Sequence, residues 1–336
     1  MRIVSLSLLC ICILLLGCQK HSEMKVLQGE IFGSSYLVKY IGNLDTNKFS
    51  PELAKFFKDF NTEFSTYQSD SVISQFNRLE KNKKLKVSTD FISLLKIAQK
   101  LHQDTEGAFD PTLGPVIKIW GFGGAKKRTQ APESKKIQSA LKNVGFTYLV
   151  WDELTSEVWK TKDSIQLDVN AFAPGFAADM IAKKLESHGI FNYMVDIGGE
   201  FTVKGKKNNG ESWVIGIEKP DPENKTIQVA IRLEDESLAT SGNYRQFFNE
   251  GGQRRSHIID PRTGYPVDNV IASATVIASS AALADGWGTA MMILGEKGID
   301  LAQRSGIKVF LLSAQSDKEF REITSEDFKK YLLLKR

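Results

Sequence analysis

A histidine, an aspartate and an arginine lie close together in one short polar stretch, Ser256–Gly264, with the sequence SHIIDPRTG. The imidazole of His257 is suited to general-base chemistry, and arginine guanidinium groups bind phosphate oxygens. Pro261 and Gly264 favour a turn. The stretch is therefore either a strand, His257–Ile259, that ends in a polar turn, or one wall of a site for a phosphate-rich substrate. Its residues alone leave both interpretations open.

A carboxylate and a hydroxyl, Asp285 and Thr289, are four residues apart in a segment that predicts a helix over 280–294. At this spacing they share one helical face, and both are hard oxygen ligands of the kind that Mg²⁺ or Ca²⁺ prefers. An aspartate near a helix start also stabilises the helix by itself, so a capping role is the alternative. Small residues surround the pair and predict that another group approaches this helix closely.

A third candidate is the segment DVNAFAPG, in which Asp168 ends a predicted strand, Ser164–Val169, and a loop leads into a predicted helix, Pro174–His188. Backbone amides at a helix start can hold phosphate, and loop carbonyls can bind a cation. A capped turn explains the same residues. Tyr67, in EFSTYQSD, either stacks on a planar ring or packs in the interior.

The elements that must position these residues alternate irregularly between strands and helices. Apolar spacings of three and four predict helices over 51–64 and 90–105, and alternating segments predict a strand pair over 26–40 and strands over 193–197 and 272–277. The regular strand–helix alternation of a doubly wound fold is missing. We therefore predict an α+β fold: a single large mixed domain with antiparallel or mixed sheets and packed helices.

Composition narrows the class of protein. The chain has 336 residues, 42% of them hydrophobic, which suffices for a large core. Its net charge of +4 argues against a dedicated nucleic-acid binder, and we expect no nucleic-acid partner. All three cysteines lie within the first 18 residues, which excludes a disulfide, a thiolate metal site or a cysteine nucleophile in the rest of the chain.

The N-terminal residues indicate a targeting segment. Arg2 precedes an apolar run, Ile3–Leu16, that is too short for a good membrane span, and Leu15–Cys18 matches the bacterial lipoprotein processing signal. We predict a signal peptide over 1–18, a lipid on Cys18, a tether over 19–24 and a domain over 25–332. A plain secretory signal or an N-terminal anchor helix is the alternative.

Motifs along nearly the whole remaining chain resemble the ApbE family of bacterial FAD:protein FMN transferases. In order, they are EFSTYQSDSVISQFN, GAFDPTLGPVIKIWGFG, DVNAFAPGFAADMIAKKL, VDIGGEF, TSGNYRQFF, SHIIDPRTGYPV and LADGWGTAMMILG. The resemblance implies a Mg²⁺-dependent enzyme that cleaves FAD, attaches FMN by a phosphoester bond to a threonine of a partner protein and releases AMP. The implied partner is a subunit of a membrane redox complex, and the implied location is the cell envelope, lipid-anchored and facing the periplasm.

The resemblance also implies roles for individual residues. Asp285, Thr289 and the carbonyl of Ala171 would bind the metal. The resemblance places His257 and Asp260 near the phosphates. Because threonine in water is a poor nucleophile, we expect His257 to be the base that activates it, oriented by Asp260. The implied FAD contacts are Phe32, Tyr67, Ala108, Phe109, Asp110, Asp168, Pro174 and His257. Phe32 stands where the family often has Met, and Pro174 where it often has Lys or Glu, so a charged contact at that position is lost.

Two other functions remain compatible with these residues. An FAD pyrophosphatase would use the same site with water as the acceptor, giving FMN and AMP. A flavin-binding lipoprotein without turnover would serve storage or delivery. A purely structural surface lipoprotein would leave the glycine- and aromatic-rich segment Gly107–Gly124 unexplained.

Overall fold

A computed structural model describes residues 23–122, 128, 130–221, 226–243, 247–250, 253–316 and 319–333. The predicted signal peptide, the lipidation site Cys18 and most of the predicted tether lie outside these residues. The first strand begins at Met24, the last residue assigned to the tether. Among the described residues, no helix has the length and apolar character needed to cross a membrane.

The described residues form eight α-helices, fifteen strands and several short 3₁₀ turns. The helices are α1 (Thr46–Phe64), α2 (Val72–Arg78), α3 (Thr89–Asp104), α4 (Gly114–Ile119), α5 (Ser134–Leu141), α6 (Ala173–Ser187), α7 (Ala281–Leu294) and α8 (Ile299–Arg304). The strands are β1 (Met24–Ile31), β2 (Ser34–Ile41), β3 (Leu85–Lys86), β4 (Leu149–Asp152), β5 (Glu157–Lys160), β6 (Asn192–Ile197), β7 (Glu200–Lys204), β8 (Trp213–Glu218), β9 (Ile227–Leu233), β10 (Ser237–Gly242), β11 (Phe247–Glu250), β12 (Gln253–Ser256), β13 (Ile271–Ala278), β14 (Lys308–Ala314) and β15 (Phe320–Thr324).

The predicted α+β class is confirmed. Eight strands form one sheet in the order β1-β2-β6-β7-β10-β13-β14-β15, and every neighbouring pair in it is antiparallel. Three smaller sheets pair β11 with β12, β8 with β9, and β3 and β4 with β5. The chain between β2 and β6 contributes α1 to α6, and the chain between β13 and β14 contributes α7 and α8. The chain between β7 and β10 contributes the β8–β9 hairpin.

The large sheet buries both of its faces. Successive side chains of a strand point to opposite sides, so Val195 joins the core under the helices while Met194 joins the core on the other side. The first core is formed with α1, α3, α6 and α7. The second core is formed with the β8–β9 hairpin and the C-terminal 3₁₀ turn Glu326–Tyr331. The cavity described below lies on the helical side.

Local sequence explains where α1 begins. It starts at Thr46 rather than at Pro51, because the side chain of Asp45 accepts the backbone N–H of Asn47 at 2.9 Å and caps the helix earlier than its apolar stripe suggests. The predicted phenylalanine face is present: Phe56, Phe60 and other members of the stripe are buried in the core. Pro51 lies inside the helix.

Two predicted strands are wrong. The segment Ser164–Val169 makes only an isolated bridge, because the side-chain amide of Asn77 takes both backbone groups of Leu167, at 2.9 and 2.7 Å, in place of a neighbouring strand. The segment His257–Ile259 follows β12 without forming a strand and makes only an isolated bridge between Ile259 and Pro266. There Ile258 donates its backbone N–H to the Ser256 hydroxyl at 3.1 Å.

The small residues of α7 serve packing against other elements of the protein. A methyl group on Gly286 would come within 2.3 Å of Leu101 on α3, and one on Gly288 within 2.8 Å of the Ser241 hydroxyl on β10. The close approach predicted for this helix therefore comes from neighbouring elements of the protein itself. The helix is therefore wedged between α3, α6 and the sheet, which fixes the direction of its polar residues.

Candidate active site

A cavity of about 460 Å³ opens where α7, the end of β10, the loop after α3 and the turn after β12 meet. Its volume is within the range of small-molecule and cofactor sites. Most of the residues singled out from the sequence line it together: Tyr67, Ala108, Phe109, Asp110, Asp168, Ala171, His257, Asp285 and Thr289. These residues come from segments far apart in the chain. The fold thus brings the separate sequence motifs to one place.

Three of the residues singled out are not among those that line the cavity: Phe32, Pro174 and Asp260. Phe32 lies in the turn between β1 and β2, with φ at 54°, and packs its ring against Phe57 and Phe60 of α1. Pro174 lies in the first turn of α6, where its missing N–H costs no helical hydrogen bond. Direct contact of Phe32 and Pro174 with FAD stays a prediction.

Asp260 is bound to Arg262. Its carboxylate accepts the Nε–H of Arg262 at 2.8 Å, the terminal guanidinium N–H at 2.7 Å and the backbone N–H of Arg262 at 2.9 Å. This bidentate pair holds the turn that follows His257. Arg262 therefore braces the turn, and its guanidinium is occupied by a carboxylate of the protein itself.

The turn that carries His257 is also tied to the Gly-rich segment. The indole N–H of the buried Trp120 donates to the carbonyl oxygen of Gly264 at 2.8 Å. The ring of Phe122 lies edge-on to the His257 imidazole, with centroids 6.3 Å apart. His257 is partly buried and lines the cavity. A single wall is thus built from two segments that lie far apart in the chain.

Asp168 is positioned by the backbone around it. Its own backbone N–H donates to the carbonyl of Pro111 at 2.7 Å, and its carboxylate accepts the N–H of Asn170 at 3.0 Å. Burial raises the pKa of the Asp168 carboxyl, against the opposing effects of the Asn170 N–H and the charge of Lys118. Burial, with the nearby Asp168 charge, also raises the pKa of Tyr67.

Asp110 has its carboxylate engaged within the protein. One oxygen accepts both the backbone N–H and the hydroxyl of Thr112, at 2.8 and 2.6 Å. The other oxygen lies 3.7 Å from Nδ1 of His102. The same Nδ1 atom of His102 lies 3.0 Å from the carbonyl oxygen of Phe109. These contacts shape the Ala108–Leu113 loop, whose backbone and apolar side chains face the cavity.

Asp285 is a buried carboxylate whose negative charge is stabilised by few neighbouring groups. It accepts one backbone N–H, that of Gly175 on α6, at 3.2 Å. Burial raises the pKa of the Asp285 carboxyl well above its usual range, the Gly175 N–H opposes this, and the neighbouring Asp179 charge adds to it. A cation bound at this carboxylate would offset the cost of burying its charge.

The donor atoms at this end of the cavity suit a hard cation. Asp285, Thr289 and the Ala171 carbonyl supply only oxygen, which Mg²⁺ and Ca²⁺ prefer over softer ligands. Nowhere in the described part of the chain do three or more His, Cys, Asp or Glu side chains cluster as a metal site. A cation here would therefore be held by hydroxyl and carbonyl oxygens beside a single carboxylate, and water or substrate oxygens would fill its remaining positions.

Sequence reasoning left several cavity residues without a role. Thr240 and Ser241 line the cavity from the end of β10, Glu200 from the start of β7, and Asn170 beside Asp168. Thr240 shares a hydrogen bond of 2.9 Å with Thr275 on the next strand. The available signal was the run of polar residues at the strand ends, within TSGNYRQFF and VDIGGEF.

Comparison with known protein families decides the class of this site. The ApbE family model matches residues 32–311. The chain belongs to the ApbE family. The matched range contains every residue of the cavity lining.

Two curated ApbE relatives match along almost their whole length. An FAD:protein FMN transferase of Vibrio cholerae is 36% identical over 324 residues, covering 95% of this chain and 96% of the relative. An FAD:protein FMN transferase of Haemophilus influenzae is 36% identical over 325 residues, covering 94% of each.

Solved ApbE structures share the fold. The flavin transferase ApbE from Vibrio cholerae superposes with a TM-score of 0.83 at 34% identity, covering 93% of this chain and 100% of that one. The apo form of Pseudomonas stutzeri flavinyl transferase ApbE gives 0.83 at 31% identity, covering 92% and 97%.

Proposed function

We propose that this chain is an FAD:protein FMN transferase, which cleaves FAD, attaches FMN to a threonine of an acceptor protein and releases AMP. The observation that carries the proposal is the cavity of this ApbE-family chain. It combines an imidazole, His257, with a hard-cation corner at Asp285 and Thr289, and it opens beside the exposed ring of Tyr67.

FAD binding would use the apolar and polar parts of the cavity differently. Tyr67 is 68% exposed, so its ring is available for stacking on a planar ring of the substrate. Phe109 and Ala108 are buried beneath the Asp110 turn and offer a firm apolar wall. Asp168 lines the cavity with a carboxylate held by the Asn170 N–H, so its carboxylate could accept a hydrogen bond from the substrate.

We propose that the same cavity also binds a divalent cation, Mg²⁺. Asp285, Thr289 and the carbonyl of Ala171 would hold it. When bound, it would neutralise the negative charge on the pyrophosphate oxygens. The protein's own contribution is to keep the Asp285 carboxylate buried and fixed by the Gly175 N–H.

In the transfer, the threonine hydroxyl oxygen attacks the phosphorus on the FMN side of the pyrophosphate. A new P–O bond to threonine forms, the bridging P–O bond breaks, and AMP leaves with the bridging oxygen. The hydroxyl proton passes to His257, which acts as the base. Asp260 supports His257 indirectly in this scheme, because its pair with Arg262 fixes the turn.

We also propose the cellular setting. The signal pattern ending in Cys18 supports a lipid-anchored protein of the bacterial cell envelope that faces the periplasm. The acceptor would be a flavoprotein subunit of a membrane redox complex that carries the target threonine. An anchor at the N-terminus, followed by a polar tether, would leave the cavity free to meet such an acceptor.

The test uses the domain without its signal peptide, incubated with FAD, Mg²⁺ and a candidate acceptor. The expected result is flavin fluorescence that stays on the denatured acceptor, with AMP released in equal amount. Asp285→Asn and His257→Ala should each lower the rate by about 100-fold or more, as loss of a charge-stabilising group or a general base does. The matched control is Asp268→Asn, a change at an exposed carboxylate outside the cavity.

Each other outcome contradicts the proposal in a specific way. AMP with free FMN and an unlabelled acceptor identifies an FAD pyrophosphatase. Bound FAD without AMP identifies a flavin carrier. A wild-type rate in His257→Ala removes the base role from His257 alone.

A further inference from the structure

Asp179 on α6 holds the start of α7. Its two carboxylate oxygens accept the backbone N–H groups of Ala281 and Ala282, at 2.8 and 3.0 Å. These groups have no partner within their own helix, because the first N–H groups of any α-helix are left unpaired. The Ser280 hydroxyl caps the next one by accepting the N–H of Leu283 at 3.3 Å. The first turn of α7 is thus fixed by side chains, one of which belongs to another helix.

Asp179 is itself fixed from the sheet. The hydroxyl of Thr202 on β7 donates to the same carboxylate at 2.8 Å. Asp179 therefore connects the sheet, α6 and α7 through a single carboxylate. Its negative charge lies at the positive end of the α7 dipole, where an acidic group is most favourable.

A second hydrogen bond between the two helices runs in the opposite direction. Gly175, one turn before Asp179 on α6, donates its backbone N–H to Asp285, one turn after Ala281 on α7, at 3.2 Å. The helices are therefore tied at two points one turn apart. With both ties in place, α7 can neither slide along α6 nor rotate about its own axis without breaking one of these hydrogen bonds.

We infer that Asp179 is a positioning residue for the cation site: it sets the height and rotation of α7, so that Asp285 and Thr289 face the same corner of the cavity. This inference rests on the proposed Mg²⁺-dependent function. Asp179 is not one of the residues that line the cavity. It therefore acts on a cation through the helix and through its charge near Asp285, without direct contact. Thr202→Val separates the two effects, because it leaves that charge in place.

The experiment measures binding of Mg²⁺ alone to the purified domain by titration calorimetry, with no substrate present. Asp179→Asn keeps the shape but places an NH₂ group against one of the two amide N–H groups. The Kd for Mg²⁺ should rise about 10-fold or more, as loss of a group that orients a metal ligand does. Thr202→Val removes one supporting hydrogen bond and should raise the Kd in the same direction by less.

Ser280→Ala is the matched control, because it loosens the same helix end without touching Asp179. It should cost about 1 kcal/mol of stability and leave the Kd for Mg²⁺ unchanged. Circular dichroism establishes that each variant is folded, and Thr202→Val decides the question if Asp179→Asn does not fold.

Two results overturn the inference separately from the proposed function. Wild-type Mg²⁺ binding in Asp179→Asn and Thr202→Val would remove the positioning role alone. A loss in Ser280→Ala as large as that in Asp179→Asn would show a general effect of helix loosening. Absence of Mg²⁺ binding in the wild type would overturn the proposed cation site together with the inference.

Discussion

Gly175 and Ala281 bring α6 and α7 into contact through their backbones. A methyl group on Gly175 would come within 2.3 Å of the Ala281 carbonyl oxygen, a distance that side-chain carbons do not reach. The contact lies between the two hydrogen bonds that join these helices, through Asp179 and Asp285. Close approach at this point is what allows both bonds to form.

Gly175→Ala should therefore destabilise the protein strongly. The clashing atoms belong to the backbone of a buried helix, so relief requires the two helices to separate. We expect the free energy of unfolding to fall by about 2–3 kcal/mol, at the upper end for overpacked cores, measured by denaturant titration. Gly306→Ala is the control. Its methyl group would meet no atom within 4 Å, so only backbone strain of about 1 kcal/mol applies. An equal cost in both variants would contradict the packing argument.

Trp120→Phe should weaken the wall that carries His257. The indole N–H of Trp120 donates to Gly264 at 2.8 Å, and phenylalanine leaves that carbonyl without its donor inside the protein. We expect a loss of about 1–3 kcal/mol in the free energy of unfolding. Trp159→Phe, at a partly exposed position on β5, is the control and should cost less than about 1 kcal/mol. A larger loss in the control would show that ring size alone matters.

The sequence predicts those elements that are determined by residues close together in the chain. The apolar period over 90–105 gives α3 to within a residue or two, because this helix buries one continuous stripe. The run of small residues over 280–294 gives α7 equally closely. The strand predicted for Ser164–Val169 is wrong for the opposite reason. It alternates like a strand, but its backbone is bonded by the Asn77 side chain, 90 positions away.

The same distinction applies to the cavity. Asp285 and Thr289 are one turn apart on one helix, so their common direction follows from the sequence. Asp179 is not recognisable in this way, because the amides that it binds are 102 and 103 positions along the chain. The pairing of Asp260 with Arg262 is local, but the sequence does not decide between this pair and a phosphate contact for the arginine. Only the folded turn decides it.

The stability of the protein should depend on the protonation of Asp196. Burial raises the pKa of its carboxyl to about 6, while the Gly199 N–H and the charge of Lys39 act against that rise. The folded state then binds the proton more tightly than the unfolded state. The stabilisation is complete below about pH 4 and is lost as the pH rises through about 6.

Asp196→Asn should remove this dependence, because asparagine is uncharged and still offers an oxygen to the Gly199 N–H. At about pH 8 we expect the variant to exceed the wild type by up to about 3 kcal/mol in unfolding free energy, and at about pH 4 the two should agree. Chemical denaturation across this range measures the difference. Asp268→Asn, at an exposed position, should follow the wild type throughout. A difference that is constant with pH would contradict the assignment.

Tyr67 should contribute to FAD binding and little to folding. Its side chain is 68% exposed at the cavity, so its removal leaves no void in the core. Stacking of a base on an aromatic ring is worth about 1–3 kcal/mol, so Tyr67→Ala should weaken FAD binding by about 10-fold or more. Tyr67→Phe keeps the ring and should bind nearly as well. Quenching of flavin fluorescence gives both affinities, and thermal unfolding should be unchanged in both variants. If Tyr67→Phe loses as much affinity as Tyr67→Ala, the phenol hydroxyl binds the substrate and ring stacking does not.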